Sequence, residues 1–429
     1  MLRSHGLKVR CHFIVLLACL IFPQLGAGAD ADDPTQRVHT ILKNTPLIDG
    51  HNDIPWLYKR RTDGQLSPLE FNSDLAALEP PTQTDLPRLK QGLLGGQFWS
   101  VYIPIESYPG AVGDASKVLD QIDFVHRLVG RYPKDLEIAY TASDIRRIHA
   151  SGKIASLIGI EGGHAIENSL GNLRMLYQTG ARYMTLTHSK GLRWVDSATD
   201  TARVDGLSQF GEEVVREMNR MGMMVDISHV SPSAMHDVLD VSVAPVIFSH
   251  SSAFSVTAHV RNIPDDVLKR LATNNGVAMI TFFPSYVSDE VRLNWAARDR
   301  ARKIIEEQVL EEDARQLLMD AWHRKNPAPK PTLAQVADHI DHVKNLIGVD
   351  YIGIGGDYDG MPPGPIGLED VATYPALFVE LLERGYSDAD IAKIAGENLL
   401  RVMHQVESMA KVLQAAGQPS DRLIDEMDE

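Results

Sequence analysis

Histidine and carboxylate side chains recur in this sequence just beyond short apolar runs. His51-Asn52-Asp53 follows the run 46–50, and Glu161-Gly162-Gly163-His164 follows 154–160. His188 follows 182–187, His229 follows 223–228 and His250 follows 245–249, while Asp357-Tyr358-Asp359 stands beyond 351–355. Imidazole and carboxylate without thiolate suit Zn²⁺, with Mn²⁺, Fe²⁺ or Co²⁺ as alternatives. Both cysteines, Cys11 and Cys19, fall within the first twenty residues. A disulfide scaffold, a cysteine zinc site and a catalytic cysteine are therefore excluded for the rest of the chain.

The spacing narrows the chemistry. His51 and Asp53 are two apart, so on a strand both point to one face and can converge on a cation. Glu161 closes an uncharged run, and a carboxylate emerging from a buried strand needs a partner. That partner is either an arginine or a metal, which a carboxylate can share with a second ion. His229 and His250 stand in near-matching contexts, Ile227-Ser228-His229-Val230-Ser231 and Phe248-Ser249-His250-Ser251-Ser252. His51, Asp53, Glu161, His229 and His250 are too many for one catalytic zinc, which usually takes three protein ligands. They suit two ions if Glu161 bridges them, with His51 and Asp53 on one and His229 and His250 on the other. Such a pair acidifies a bridging water and polarises the attacked carbonyl.

His188, Arg261 and Asp357 are left for substrate and protons. Asp357 could pass a proton from water to a leaving amine, and Asp359, two residues further out, is its rival. Arg261 either grips a carboxylate through a bidentate contact or is a surface arginine before a helix. His164 and Asp226 are expected to support ligands through hydrogen bonds. His126, His149, His236, His339, His342 and His404 lie on helical patterns and carry no assigned chemistry.

These residues need a frame that gathers strand ends. Eight β-rich runs are readable: 46–50, 97–105, 154–160, 182–187, 223–228, 245–249, 276–283 and 351–355. Helical patterns separate them at 168–178, 212–221, 264–272 (Pro264 at the first helical position) and 333–347, with a further start at Ser387. The alternation predicts an α/β fold, a (β/α)8 TIM-type barrel whose active site occupies the C-terminal ends of its strands. A doubly wound open sheet is the alternative, but no G-x-G-x-x-G or Walker motif supports a nucleotide site. The second and seventh strands end without an obvious candidate. Two segments depart from the bare barrel: a Pro- and Leu-rich loop at 52–95, and a charged excursion at 288–330. The excursion is helical from 290 to 324 and is broken at 326–329. One domain is expected over 30–415, with a polar tail over 416–429.

The chain has 429 residues and 57 acidic against 42 basic side chains. That balance disfavours nucleic acid and anionic membrane surfaces as partners. Arg3, Lys8 and Arg10, the apolar run 13–22 and Ala27-Gly28-Ala29 read as a signal peptide over 1–29, giving an exported chain that starts near Asp30. Leu16-Leu17-Ala18-Cys19 offers a lipid-anchored form at Cys19 as the lesser alternative. No transmembrane helix or C-terminal lipid anchor is expected in the mature chain.

Taken together, the motifs resemble the membrane (renal) dipeptidase family, zinc peptidases of the amidohydrolase-like barrel group. The matching segments are Ile48–Asp53, Ile160–His164, Leu186–Ser189, Val225–Ser231, Ser249–Ala253, Arg261–Asp266, Gly355–Gly360 and Glu397–Val402. The resemblance runs from about residue 46 to 405. It implies a two-zinc barrel with Glu161 between the ions, His188 and Arg261 binding substrate, and Asp357 serving proton transfer. It further implies hydrolysis of dipeptides, including those with a C-terminal D-residue, by a homodimer. The mammalian members use cysteines and a glycolipid anchor, which are not expected here. The stretch 288–330 looks longer than theirs and follows the seventh strand, where it could alter specificity. A binuclear hydrolase of another amide, lactone or ester is the alternative. Lys190 is the lysine such a barrel could carboxylate, although Glu161 already offers a bridge. A non-catalytic binding barrel would be expected to have lost ligands, and none is missing.

Overall fold

The computed structural model describes residues 33–428 apart from 109 and 111, together with 1, 2 and 6. The expected cleavage site at 27–29 and both cysteines lie outside the described residues.

Nine parallel strands form one sheet. They are β1 (Leu47–Asn52), β2 (Leu94–Tyr102), β3 (Leu136–Ile138), β4 (Ile154–Glu161), β5 (Ala181–Thr185), β6 (Met224–Asp226), β7 (Ile247–Phe248), β8 (Val277–Ile280) and β9 (Ile352–Ile354). Eight of them close a barrel in the order β1-β2-β4-β5-β6-β7-β8-β9, with β9 returning to β1. The closed barrel replaces the open sheet as the reading of the alternation. The ninth strand, β3, was not expected: it has three residues, one of them charged. It borders Ile154–Ser156 of β4, before β5 takes over beside Ile158–Glu161.

The barrel strands read as near-continuous apolar runs because parallel strands are covered on both faces. Ile48, Phe98, Leu157, Tyr183, Met224, Ile247 and Met279 pack into one cluster with Leu399, Val402 and Val406 of the helix Asn398–Ala416. Capping fixes several helices. Thr332 with Gln335 and Ser387 with Asp390 form capping boxes at Leu333–Ile347 and Asp388–Ala392. Pro264 corrects the expected start of its helix. It is the extended N-cap (ψ 149°) of Asp265–Asn274 rather than its first helical residue.

The loop 52–95 contains two short α-helices, Ile54–Thr62 and Leu86–Gln91, and a 3-10 turn at Leu75–Ala77. The charged excursion is a helical hairpin, Asp289–Gln308 and Glu312–Lys325, and each helix buries a single side chain, Val291 and Met319. Among the described residues no helix is long and apolar enough to cross a membrane.

Two buried aspartates tie the strand ends together in the same way. Asp49 Oδ1 accepts the N–H of His51, two residues on (3.2 Å), and of Gly356 beyond β9 (2.8 Å), while Oδ2 takes the Tyr374 hydroxyl. Asp226 Oδ1 accepts the N–H of Ser228, two residues on (3.0 Å), and of Ser249 beyond β7 (2.9 Å). Its Oδ2 takes the Thr185 hydroxyl and Ser249 Oγ (2.6 Å). Burial pushes the Asp49 pKa up, against the pull of these donors.

The Asp49 lock closes the barrel between its first and last strands and the Asp226 lock ties three successive ones, and removing either carboxylate orphans several buried donors. Asp226→Ala is expected to destabilise the fold by about 3 to 5 kcal/mol. Breaking the exposed Glu212–Arg216 pair (2.6 Å) should change stability by under about 0.5 kcal/mol. Urea unfolding midpoints of the two variants check the contrast.

Candidate metal centre

The strand ends gather the expected ligands at one point. His51 lies within β1, with Asp53 just beyond it, and Glu161 ends β4. His229 and His250 follow β6 and β7 by three and two residues. Glu161 sits among them with its two oxygens facing different ways. Oε2 is 3.5 Å from His51 Nε2. Oε1 is 3.2 Å from His229 Nε2, 3.7 Å from His250 Nε2 and 3.8 Å from His188 Nε2. Asp53 Oδ2 is 3.4 Å from His51 Nε2. Three groups have ligand atoms close enough to share an ion: His51 with Glu161 and His250, Glu161 with His188 and His229, and His51 with Asp53 and Asp357.

The hydrogen bonds behind the rings show that the donor set fits a cation. The Tyr183 hydroxyl lies 3.0 Å from the Gly50 carbonyl oxygen and 3.0 Å from His51 Nδ1. A carbonyl only accepts, so the phenol donates to it and receives the Nδ1–H of His51. His51 Nε2 then presents a lone pair to Asp53 and Glu161, and it has no hydrogen-bond partner among the described residues. Ser249 Oγ lies 2.6 Å from Asp226 Oδ2 and 2.8 Å from His250 Nδ1. By the same argument it donates to the carboxylate and receives the His250 Nδ1–H. The bare His250 Nε2 is 2.8 Å from His229 Nε2, a separation that calls for a proton or a cation between them.

The electrostatics point the same way. Burial works against charging His51, yet Tyr183, Glu161 and Asp53 lift its pKa well above the ordinary value. Burial would raise Glu161, but His51, His229 and His188 hold it well below the carboxylate range. Burial and Arg261 keep His229 well below the ordinary value, and burial with His51 and Arg261 does the same for His250. A carboxylate held charged beside His229 and His250 held neutral, with His51 drawn toward a positive charge between Asp53 and Glu161, is a ligand set for a divalent ion.

A cavity of about 260 Å³ opens over this cluster and is lined by Arg261 and Asp357 as well as Asp53, Glu161, His229 and His250. Arg261 is 2% exposed. Its hydrogen bonds go to neutral acceptors, Ser251 Oγ and the His250 carbonyl oxygen, both at 3.3 Å, and its Nε has no partner among the described residues. Of the two readings open for Arg261, the surface arginine is ruled out. Asp357 is buried in left-handed backbone (φ 66°), as is His229 (φ 67°). Burial pushes the Asp357 pKa well above the carboxylate range, and the pull of His51 only partly offsets it. Gly360 makes room for this arrangement, because a Cβ there would collide with the Asp53 and Asp357 carboxylates.

The remaining expectations divide. Asp359 is buried outside the cavity lining, accepts the Gln83 N–H (2.8 Å) and is pushed by burial to about 6. His164 supports no ligand directly: it bonds the Ile103 carbonyl oxygen (2.9 Å), and burial takes its pKa to about 4. Asp226 reaches His250 through Ser249, and not the nearer-in-sequence His229. Lys190 is exposed and pairs with Asp200 (3.4 Å). His188 Nδ1 meets Ser189 Oγ (3.2 Å), which donates to Glu106. The two strands expected to end without a candidate supply walls: Tyr102 ends β2 and Phe283 follows β8, joined in the cavity by Trp56 and Tyr286. Sequence reasoning also missed Tyr183. Its signal was an aromatic residue inside a strand, facing a neighbouring strand with glycine at 159.

The family model for membrane dipeptidases, peptidase family M19, matches residues 35–417. Solved structures share the barrel. The probable dipeptidase PvdM from Pseudomonas aeruginosa superposes with a TM-score of 0.76 at 24% identity, over 88% of this chain and 99% of its own. Dipeptidase AC, a metallopeptidase of family M19, gives 0.68 at 23% identity, over 85% and 99%. A metallopeptidase from Rhodobacter sphaeroides, solved with a phosphinate mimic of the dipeptide L-Ala-D-Ala, gives 0.66 at 22% identity, over 85% and 99%. With that match over most of its length, and with a buried histidine and carboxylate cluster at the strand ends, the chain belongs to the membrane dipeptidase family, the peptide-bond hydrolases of peptidase family M19.

Proposed function

We propose that this chain is an exported two-zinc dipeptidase that hydrolyses free dipeptides, including those with a C-terminal D-residue. The observation that carries the substrate assignment is Arg261. A buried guanidinium with only neutral partners is costly, and a substrate carboxylate reaching it through the cavity supplies the missing counter-charge. The small cavity favours a substrate of two residues. The D-residue rests on the L-Ala-D-Ala mimic held by the Rhodobacter sphaeroides metallopeptidase. Export rests on the basic, apolar and small-residue pattern of residues 1–29, and the intact mass of the recovered protein reads it directly.

His51, Asp53 and Glu161 would hold one ion, and Glu161, His229 and His250 the other. When bound, the ions acidify water and polarise the scissile carbonyl. Arg261 fixes the free carboxylate and thereby the orientation of the peptide bond. His188, whose ring neighbours His229 at 4.6 Å between centroids, stabilises the tetrahedral oxyanion. Asp357 accepts the proton of the attacking water and returns it to the leaving amine. Its burial suits that exchange, because burial raises the proton affinity of the carboxyl and lets it hold the proton until the amine leaves.

Metal analysis of the purified protein is expected to give about two zinc ions per chain. Cleavage is expected for L-Ala-L-Ala and L-Ala-D-Ala but not for N-acetylated or C-amidated forms. Two ions without dipeptide cleavage would move the assignment to another amide or ester, and no ion at all would end the metal-centre reading.

Two variants test the roles. Arg261→Met should raise KM for free dipeptides by roughly a hundredfold, as expected for a lost charge-assisted bidentate contact. An unchanged KM would remove Arg261 from substrate binding. Asp357→Asn should lower kcat by about 10² to 10⁴ with metal content retained, and unchanged turnover would refute the proton-transfer role.

A further inference from the structure

The helical hairpin leaves the barrel directly after the cavity wall. Phe283 and Tyr286 line the cavity, and the helix Asp289–Gln308 begins three residues after Tyr286. That helix turns one aromatic side chain back toward the wall: Trp295 meets Phe283 edge-on, with ring centroids 5.8 Å apart and an interplanar angle of 80°. Phe283 in turn stacks on Tyr286 at 4.2 Å and 16°. The Arg261 guanidinium lies over the Tyr286 ring at 5.4 Å. On the outer side, the Arg298 guanidinium lies over Trp295 at 5.3 Å. A continuous ladder of rings and cations thus connects the excursion to the arginine inside the cavity.

The two wall residues are held differently. Tyr286 is secured by the loop that carries Arg261: its carbonyl oxygen accepts Asn262 Nδ2 (2.7 Å), and the His259 ring packs on it at 4.3 Å. Phe283 has two aromatic neighbours among the described residues, Tyr286 on its inner side and Trp295 on its outer side. Phe283 also packs on the main core, and on the excursion side it is braced by Trp295, from a helix whose one buried side chain is Val291.

We infer that Trp295 is a specificity-determining residue: by bracing Phe283 it sets the width of the cavity beside Arg261, and so the size of the C-terminal side chain that a dipeptide substrate can carry. The inference rests on the dipeptidase assignment above. With the substrate carboxylate on Arg261, the Cα of the C-terminal residue is one bond away. Its side chain then falls against the rings beside that guanidinium. Removing the indole lets Phe283 swing outward and widens this end of the cavity, while the end facing His51 and Glu161 is untouched.

The test uses the full chain, metal-loaded, with Trp295→Ala and Trp295→Phe variants. Values of kcat and KM are measured for L-Ala-L-Ala, L-Ala-L-Phe and L-Phe-L-Ala. The Ala variant is expected to raise the kcat/KM ratio of L-Ala-L-Phe to L-Ala-L-Ala by about tenfold, a discrimination typical of hydrophobic pockets, mainly through KM. The Phe variant should hold that ratio within about twofold of wild type, and the L-Phe-L-Ala to L-Ala-L-Ala ratio should stay put in both. An unchanged ratio in the Ala variant overturns the inference. So does a uniform loss on all three substrates, or an equal shift in the N-terminal series. Wild-type protein that cleaves none of the three overturns the dipeptidase assignment itself, and that outcome is read before any variant is compared.

Discussion

The carboxylates of Asp49 and Asp226 hold the ends of adjacent barrel strands in register, β1 against β9 and β6 against β5 and β7, and the rest of the site depends on that register. A parallel barrel leaves the last backbone N–H groups of its strands pointing into the space where the loops begin, and buried donors must find acceptors. Each aspartate satisfies two of them with one oxygen, one on its own chain segment and one across the barrel wall. His51 follows the first lock immediately and His250 the second. The histidines are thus placed by backbone geometry before any ion is considered, and the Tyr183 and Ser249 hydroxyls then set their tautomers.

Charge explains the remaining layout. The cluster concentrates two carboxylates and three imidazoles in a buried space, and Arg261 adds a cation that no charged side chain among the described residues pairs with. Neither feature would persist in a purely structural core, where buried charges are paired. Left-handed backbone at His229, Asp357 and Asp359 adds a conformational cost of about 1 to 3 kcal/mol each. It is sustained by the bonds that cross between loops, such as Asp53 N–H to the Tyr358 carbonyl oxygen (3.0 Å) and Asp357 N–H to that of His51 (3.2 Å).

Much of this was legible in the sequence because the relevant signals are local. A β-rich apolar run followed by histidine or a carboxylate marks a strand and its chemistry in one window, which is how His51, Glu161, His229 and His250 could be singled out. What could not be read depends on partners distant in the chain. Tyr183 meets His51 across 132 positions, and Asp226 bonds residues on both neighbouring strands. Strand β3 exists only because the start of β4 leaves an edge open there. The aromatic walls were missed for a different reason: Tyr102 ends β2 and Phe283 follows β8 as ordinary apolar residues would, and only their convergence on the cavity gives them a role.

One contact inside the barrel constrains how this sequence could change. The Tyr183 ring reaches His51 through space that exists because residue 159 has no side chain, and a Cβ at Gly159 would overlap the ring itself. Alanine at 159 is therefore tolerable only after Tyr183 has been lost, and losing Tyr183 strips the Nδ1–H of His51 of its acceptor. The two positions form an epistatic pair, in which the order of substitution matters and neither single step is neutral. Divergence in this barrel would then run through the loops and the helical hairpin, while the strand interior stays fixed by a glycine whose importance its own neighbours in sequence do not reveal.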